Sequence, residues 1–469
     1  MILSEGGGLV ERGVIEGFYG RPFSHEERLA LLRFVGERGF NCYVYAPKND
    51  PLHRERWREP YASAELARFA ELARVGDEHG VRFMYALAPG LTYDAGDPRE
   101  FELLAAKIRD LVGAGARGIA LLFDDLTADS TTLEPQVQAE LVARSAELVA
   151  TLDAGITFWF IGNFYCGDVA ELRDGTGFWR ALYGRPAIDY FAAYTALVPD
   201  TVPIMWTGPA VFSAVLSGRD AADFRALARR PVVLWDNFPV NDALPSQIFL
   251  GPYVGRSPDA VAALHGVVLN LMSQASANRI PLATAGEFFA DVAGYDPDAS
   301  LRRAVAAVAP DAQAAAHLDA FVAQHRGHPV LAADATALEL GAHVAAAFGG
   351  TSGAVPDTAA LARLREHLVV LADNEQQLRR TLAGDALFAE IEPWSRQLTR
   401  LARAALTGLD ALAGASDRAS FAAARSLTEP HDQVVAATVL PSSLTPFVAG
   451  HGAAVDRFAE LFAAIERQL

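Results

Sequence analysis

GIALLFDD, residues 118–125, is an unbroken apolar run that stops at two adjacent aspartates, Asp124 and Asp125. A short apolar segment without alternation is the pattern of a strand covered on both faces, as in a parallel sheet. Seven other segments share it: VIEGFYG (14–20), FNCYVYAP (40–47), VRFMYALAPG (81–90), ITFWFIGNFY (156–165), VPIMWTG (202–208), VVLWDNF (232–238) and GVVLNLM (266–272). The intervening stretches carry helical spacing. SHEERLALLRFVGERG (24–39) opens with Ser24 and Glu27 at capping-box separation and sets Leu29, Leu32 and Val35 on one face. SAELARFAELARV (63–75) does the same with Leu66, Phe69 and Leu72. Gly39, Gly80 and Gly118 mark returns into the next strand. Eight strand-then-helix units predict an α/β fold, a (β/α)8 TIM barrel, over residues 1–295. A doubly wound open sheet is the alternative, but no glycine-rich phosphate fingerprint follows an early strand.

From residue 296 the texture changes to Ala- and Leu-rich helical spacing, with almost no strand signal, and FGGTSGAVPD (348–357) breaks it. Residues 296–469 are therefore expected to form an all-α helical bundle whose sequence carries no visible chemistry. Its exposed helical faces would suit a homodimer.

Composition narrows the classes. The chain has 469 residues, 51% hydrophobic and 21% charged, an ordinary globular profile. A net charge of −17 argues against a general nucleic-acid binder, which needs a basic surface. The two cysteines, Cys42 and Cys166, sit in apolar stretches and are expected to be buried thiols rather than a disulfide. The N-terminus has no basic region followed by an apolar one, and no run of roughly 18 apolar residues occurs. The expectation is a soluble, cytoplasmic protein that does not span a membrane.

In a TIM barrel the chemistry gathers at the C-terminal ends of the strands. Those ends read Gly17, Phe18 and Tyr19; Lys48, Asn49 and Asp50; Asp124 and Asp125; Asn163 and Tyr165; Trp206 and Thr207; Trp235, Asp236 and Asn237, with Asp242 beyond; and Asn270. Taken singly, each has a plainer use: a lone Trp packs in a core and a lone Lys sits in solvent. Their recurrence at successive strand ends suggests a carbohydrate site, where hydroxyls meet hydrogen-bonding groups and a sugar face meets an aromatic ring. No expected strand end carries a histidine, which weighs against a metal-dependent hydrolase, and no nucleophile-elbow pattern is present. Neither a metal nor a cofactor is expected.

Asp124 and Asp125 are then the candidate acid–base pair. Ordinary retaining glycosidases place nucleophile and acid about 5 Å apart, across the scissile bond. Adjacent residues can hardly straddle a sugar ring, and on a regular strand they point to opposite faces. The strand must bend if both are to face the pocket. Such a pair suits a mechanism in which the substrate's own 2-acetamido group is the nucleophile.

GVIEGFYGRPFSHEERLALL, NCYVYAPKNDPLHRERWREPY, FDD, WTGP and WDNFPVND together resemble glycoside hydrolase family 84, the β-N-acetylglucosaminidases that include the O-GlcNAcases, over roughly residues 12–290. The resemblance implies retaining hydrolysis of terminal β-linked GlcNAc, on glycoproteins or small glycosides, through an oxazoline intermediate. It implies that Asp124 orients the acetamido group, that Asp125 is general acid and then base, and that Tyr165 binds the acetamido oxygen. It implies that the backbone of Gly17, with Lys48, Asn237, Asp242 and Asn270, holds the sugar, and that Trp235 packs beside the N-acetyl methyl. The chain departs from the family pattern in three places. Asn49 stands where Asp is frequent, Asn163-Phe164 where Thr-Glu is usual, and Leu271 where Pro is frequent. These touch the outer pocket rather than the proposed catalytic groups. The competing readings are a non-catalytic GlcNAc-binding barrel and a scaffold whose helical half carries the function.

Overall fold

A computed structural model describes residues 9–245, 247–327, 339–349, 356–426 and 453–469. Eight parallel strands close in sequence order into a barrel. They are β1 Glu11–Glu16, β2 Cys42–Tyr45, β3 Arg82–Leu87, β4 Gly118–Leu122, β5 Thr157–Ile161, β6 Ile204–Trp206, β7 Val232–Asp236 and β8 Gly266–Asn270. The circle closes where Gly13 pairs with Val268 on one side and Cys42 on the other. Pairing stops two to four residues before the apolar runs end. The residues just beyond the last paired position turn over the barrel mouth and form the site.

Helices alternate with the strands: α1 His25–Glu37, α2 Ser63–Glu78, α3 Arg99–Gly113 and α4 Pro135–Leu152. Three short ones follow β5: α5 Val169–Asp174, α6 Gly177–Tyr183 and α7 Ala187–Leu197. Then come α8 Gly218–Ala228, α9 Pro258–Ala263 and α10 Arg279–Ala290. Ser24 caps α1 and forms the full capping box with Glu27. The continuous apolar character of the strands has a direct cause, because both faces are covered. Tyr45, Phe83 and Tyr85 turn outward onto Phe69 of α2, with ring centroids 5.1, 6.1 and 5.5 Å away. Gly39 and Gly80 adopt φ of 79° and 70° at the returns into β2 and β3. Gly118 differs from expectation. Gly115, with φ of 98°, makes that return, while Gly118 lies in β4, where a Cβ would fall 2.4 Å from Cγ of Met84.

Two buried ion pairs brace the barrel rim. Arg28 of α1 donates both arms of its guanidinium to Glu16 at 2.8 and 2.7 Å, and Tyr43 donates to the same carboxylate at 3.0 Å. Arg256 clamps Asp236 at 2.7 and 2.6 Å, with the Tyr253 hydroxyl also on it at 2.7 Å. Such pairs persist in an interior only when every charge is matched.

Beyond α10 the described chain is helical: α11 Pro297–Val308, α12 Ala312–Val322, α13 Glu339–Phe348, α14 Thr358–Thr381, α15 Ala386–Leu412, α16 Arg418–Ser426 and α17 Ala453–Gln468. These helices share an apolar core of their own, and barrel residues enter it: Phe249 and Leu250 after β7, and Ile280 and Ala283 of α10. Glu390 of α15 accepts the backbone N–H groups of Ser276 and Ala277 at 3.0 and 2.9 Å, so the joint is polar as well as apolar. Among the described residues no helix is long and apolar enough to cross a membrane.

Candidate active site

Gly17, Lys48, Asp124, Asp125, Tyr165, Trp235, Asn237, Asp242 and Asn270, singled out in the sequence, all line one cleft at the C-terminal mouth of the barrel. The cleft is open to solvent, with about 500 Å³ of space in and over its mouth.

The aspartate pair is resolved by a bend. β4 ends at Leu122, and Asp125 takes a left-handed backbone with φ of 54°. A non-glycine residue adopts that conformation only where its surroundings over-determine it. The turn undoes the alternation of the strand and brings both carboxylates to the cleft. Lys48, 8% exposed, donates to Oδ2 of Asp124. Burial would raise the Asp124 carboxyl. The Lys48 ammonium, and after it the Arg54 guanidinium, outweigh burial and hold it below the usual carboxylate range. Oδ1 of Asp124 is buried and accepts no hydrogen bond from any described residue. Buried acceptors are usually satisfied, so a carboxylate oxygen at a cleft can take a donor from a ligand or from water.

Asp125 is held differently. Tyr165 donates to its Oδ1 and Tyr19 to its Oδ2, each at 2.8 Å. Burial, followed by the Asp125 charge, raises both phenols far above the ordinary tyrosine value, so both remain donors. Trp179 packs edge-on against Tyr165 with centroids 4.8 Å apart and fixes that ring.

The opposite wall is a hydrogen-bonded chain. Gly17 N donates to Asn270 Oδ1 at 3.1 Å, Asn270 Nδ2 to Asn237 Oδ1 at 2.9 Å, and Trp235 Nε1 to the same oxygen at 3.1 Å. Asn237 Nδ2 donates to the Val211 carbonyl at 2.7 Å. The N–H of Gly17 is thereby occupied. Asp242 accepts the Tyr19 N–H at 2.9 Å. Burial, helped by the Asp125 charge, pushes its carboxyl up to about 6, against the pull of the Tyr19 and Ala243 backbone N–H groups.

Other strand-end residues are placed elsewhere. Trp206 faces outward and stacks on Phe224 of α8, centroids 4.3 Å apart and planes 5° from parallel. Asp236 is committed to Arg256. Asn163 is fully buried and accepts from Gln138 at 3.2 Å. Asn49, exposed, accepts the Gly20 N–H at 3.0 Å, a structural use of one departure from the family pattern. Thr207, Val211 and Phe212 line the cleft. Val211 and Phe212 carry no polar group that a reading of sequence could seize on.

Cys42 and Cys166 are free and buried, and burial pushes the Cys166 thiol up to about 12. Among the described residues no group of three or more His, Cys, Asp and Glu is placed to hold a metal ion. His53 is buried against the Ala86 carbonyl at 2.7 Å, and burial pushes its imidazole down to about 4. His328, His431 and His451 lie outside the described residues.

The sequence matches the family model described as beta-N-acetylglucosaminidase (NAGidase) over residues 12–323. The curated Protein O-GlcNAcases of Mus musculus and Rattus norvegicus are each 31% identical to it over 281 residues, 59% of this chain and 30% of theirs. The chain thus spans under a third of the length of those relatives. Among solved structures, a point mutant of the Thermobaculum terrenum O-GlcNAc hydrolase superposes with a TM-score of 0.78 at 24% identity, covering 97% of this chain and 94% of that one. CpGH84B superposes with a TM-score of 0.78 at 23% identity, covering 97% of this chain and 77% of that one. At such identities the likeness speaks for the fold.

Proposed function

Since the chain belongs to the beta-N-acetylglucosaminidase family of glycoside hydrolases, we propose that it cleaves terminal β-linked GlcNAc with retention, using the substrate's acetamido oxygen as nucleophile. The observation that carries this reading is the orphaned Oδ1 of Asp124. It is a buried, ionised acceptor beside the second acid, with no side-chain donor on it among the described residues. The N–H of a 2-acetamido group supplies that donor.

The steps follow from the side chains. Asp124, kept ionised by Lys48, accepts the amide N–H and stabilises the positive charge that develops as the acetamido oxygen attacks the anomeric carbon. As general acid, Asp125 gives a proton to the leaving oxygen as the glycosidic bond breaks. It then takes a proton from the water that opens the oxazoline. Tyr165, which donates to Asp125 at 2.8 Å, can turn its hydroxyl to the acetamido oxygen instead. Trp235 packs against the N-acetyl methyl. Lys48, Asn237, Asp242, Asn270 and the Gly17 carbonyl hold the hydroxyls and the amide, where Asp242 can accept from two neighbouring hydroxyls. The mouse and rat relatives are named Protein O-GlcNAcase, which makes GlcNAc on protein serine or threonine the substrate class to try first.

The test is turnover of an aryl β-GlcNAc glycoside by wild type and Asp125→Asn. General acid–base catalysis contributes about 10²- to 10⁴-fold, so the variant should lose that much on a poor leaving group and far less on an activated one. Sugar binding without turnover by the wild type would replace this reading with that of a binding barrel.

A further inference from the structure

Arg54 is a buried guanidinium, 7% exposed, in the turns between β2 and α2. Its Nη1 donates to the Tyr19 hydroxyl at 2.8 Å, and its Nη2 donates to the backbone carbonyl of Asp125 at 3.2 Å. Tyr19 in turn donates a hydrogen bond to Oδ2 of Asp125 at 2.8 Å. One planar group therefore grips Asp125 twice, directly at the main chain and through a phenol at the side chain. Among the described residues Arg54 has no carboxylate within 4.0 Å, although a buried cation ordinarily finds one. The residue it grips is the one held in a left-handed turn.

We propose that Arg54 is a positioning residue for the reaction, locking the Asp125 turn and aiming its carboxyl at the leaving-group oxygen. This rests on the reading of Asp125 as the general acid. The geometry asks for arginine in particular. Its donors lie in a fixed fork and reach two acceptors on diverging lines, whereas a lysine ammonium is a single point on a flexible stem. The same charge helps keep Asp124 ionised, after burial and behind Lys48. A positioned acid loses efficiency when its carboxyl is displaced by even an ångström, because proton transfer needs near-attack geometry.

The experiment compares Arg54→Met, Arg54→Lys, Tyr19→Phe and Asp125→Asn with wild type on two aryl β-GlcNAc glycosides. One has a dinitrophenolate leaving group that needs little protonation, and the other has a poor phenolate that needs much. Melting temperatures are recorded for each variant. Arg54→Met should lower kcat/KM on the poor substrate by about 100-fold and on the activated one by less than about tenfold, with KM little changed. Arg54→Lys and Tyr19→Phe should show the same selectivity at smaller amplitude. A purely structural arginine would lower the melting temperature and reduce both substrates alike, which overturns the proposal. If Arg54→Met does not fold, Arg54→Lys and Tyr19→Phe decide by the same criterion. If Asp125→Asn shows no leaving-group dependence, the acid assignment has failed and the proposal goes with it. If Asp125→Asn shows it and the Arg54 variants do not, the positioning role alone is refuted.

Discussion

Gly17→Ala probes the wall of the cleft with a single carbon. A Cβ at Gly17 would lie 2.4 Å from Cζ2 and 3.0 Å from Cη2 of Trp235, and 3.2 Å from Oδ1 of Asn270. Ordinary contact starts near 3.4 Å, so the indole must retreat by about 1 Å. The ring is not free to do so. Its Nε1 is bonded to Asn237, which also takes the Asn270 amide, which in turn holds the Gly17 N–H. Overpacking of this kind costs about 1–3 kcal/mol. If the displaced wall delivers that cost to the bound sugar, kcat/KM falls roughly 5- to 150-fold. The wall touches sugar in the ground state and the transition state alike, so the loss should fall in KM. Initial rates over a range of aryl GlcNAc concentrations measure it. The same overpacking strains the folded state, so the melting midpoint should fall by a few degrees as well. A wild-type KM would refute the claim that Gly17, Trp235 and Asn270 form one rigid sugar-facing wall.

Lys48→Met should move the acidic limb of the pH–rate profile to higher pH. Asp124 is held below the usual carboxylate range because Lys48 and Arg54 outweigh its burial, so its charge is lost only as pH falls through that lowered value. Without the ammonium, burial dominates and the carboxyl takes its proton at higher pH, while the stability that the ion pair gives the wild type, lost there only as pH falls through the lowered value, is absent from the variant. An acidic limb that stays in place would mean Asp124 does not set it. Glu390→Ala should loosen the joint between the barrel and the helical half. Two backbone N–H groups lose a charged acceptor worth roughly 1.5–3 kcal/mol each, and the melting midpoint should drop by about 5 °C or more. An unchanged melt would show that the joint is held by its apolar core alone.

The barrel was legible because parallel strands covered on both faces leave apolar runs that helix-period segments cannot imitate. Their residue types also marked the mouth, since carboxylates, amides and a lysine recur where apolar runs end. What sequence could not decide was direction. Trp206 and Trp235 look alike at corresponding ends, yet one stacks outward on Phe224 and the other lines the cleft. Asp236 and Asp242 lie six residues apart, yet the first is spent on Arg256 and the second faces the pocket. Arg54 was invisible for a different reason. It stands in a loop with other charges, and only the closed barrel carries it to Tyr19 and Asp125 from a distant part of the chain. The bend at Asp125 was foreseen from the need of two neighbouring acids to face one way, but not the left-handed backbone that achieves it.

The claim beneath the whole account is that the nucleophile arrives with the substrate. It is tested most directly by kcat/KM for aryl glycosides whose N-acetyl group is progressively fluorinated, at one constant leaving group. Fluorine weakens the acetamido oxygen as a nucleophile, and the account predicts a steep, monotonic fall along the series. A flat series, with the same turnover whatever the acyl group, would place the nucleophile on the protein and contradict it.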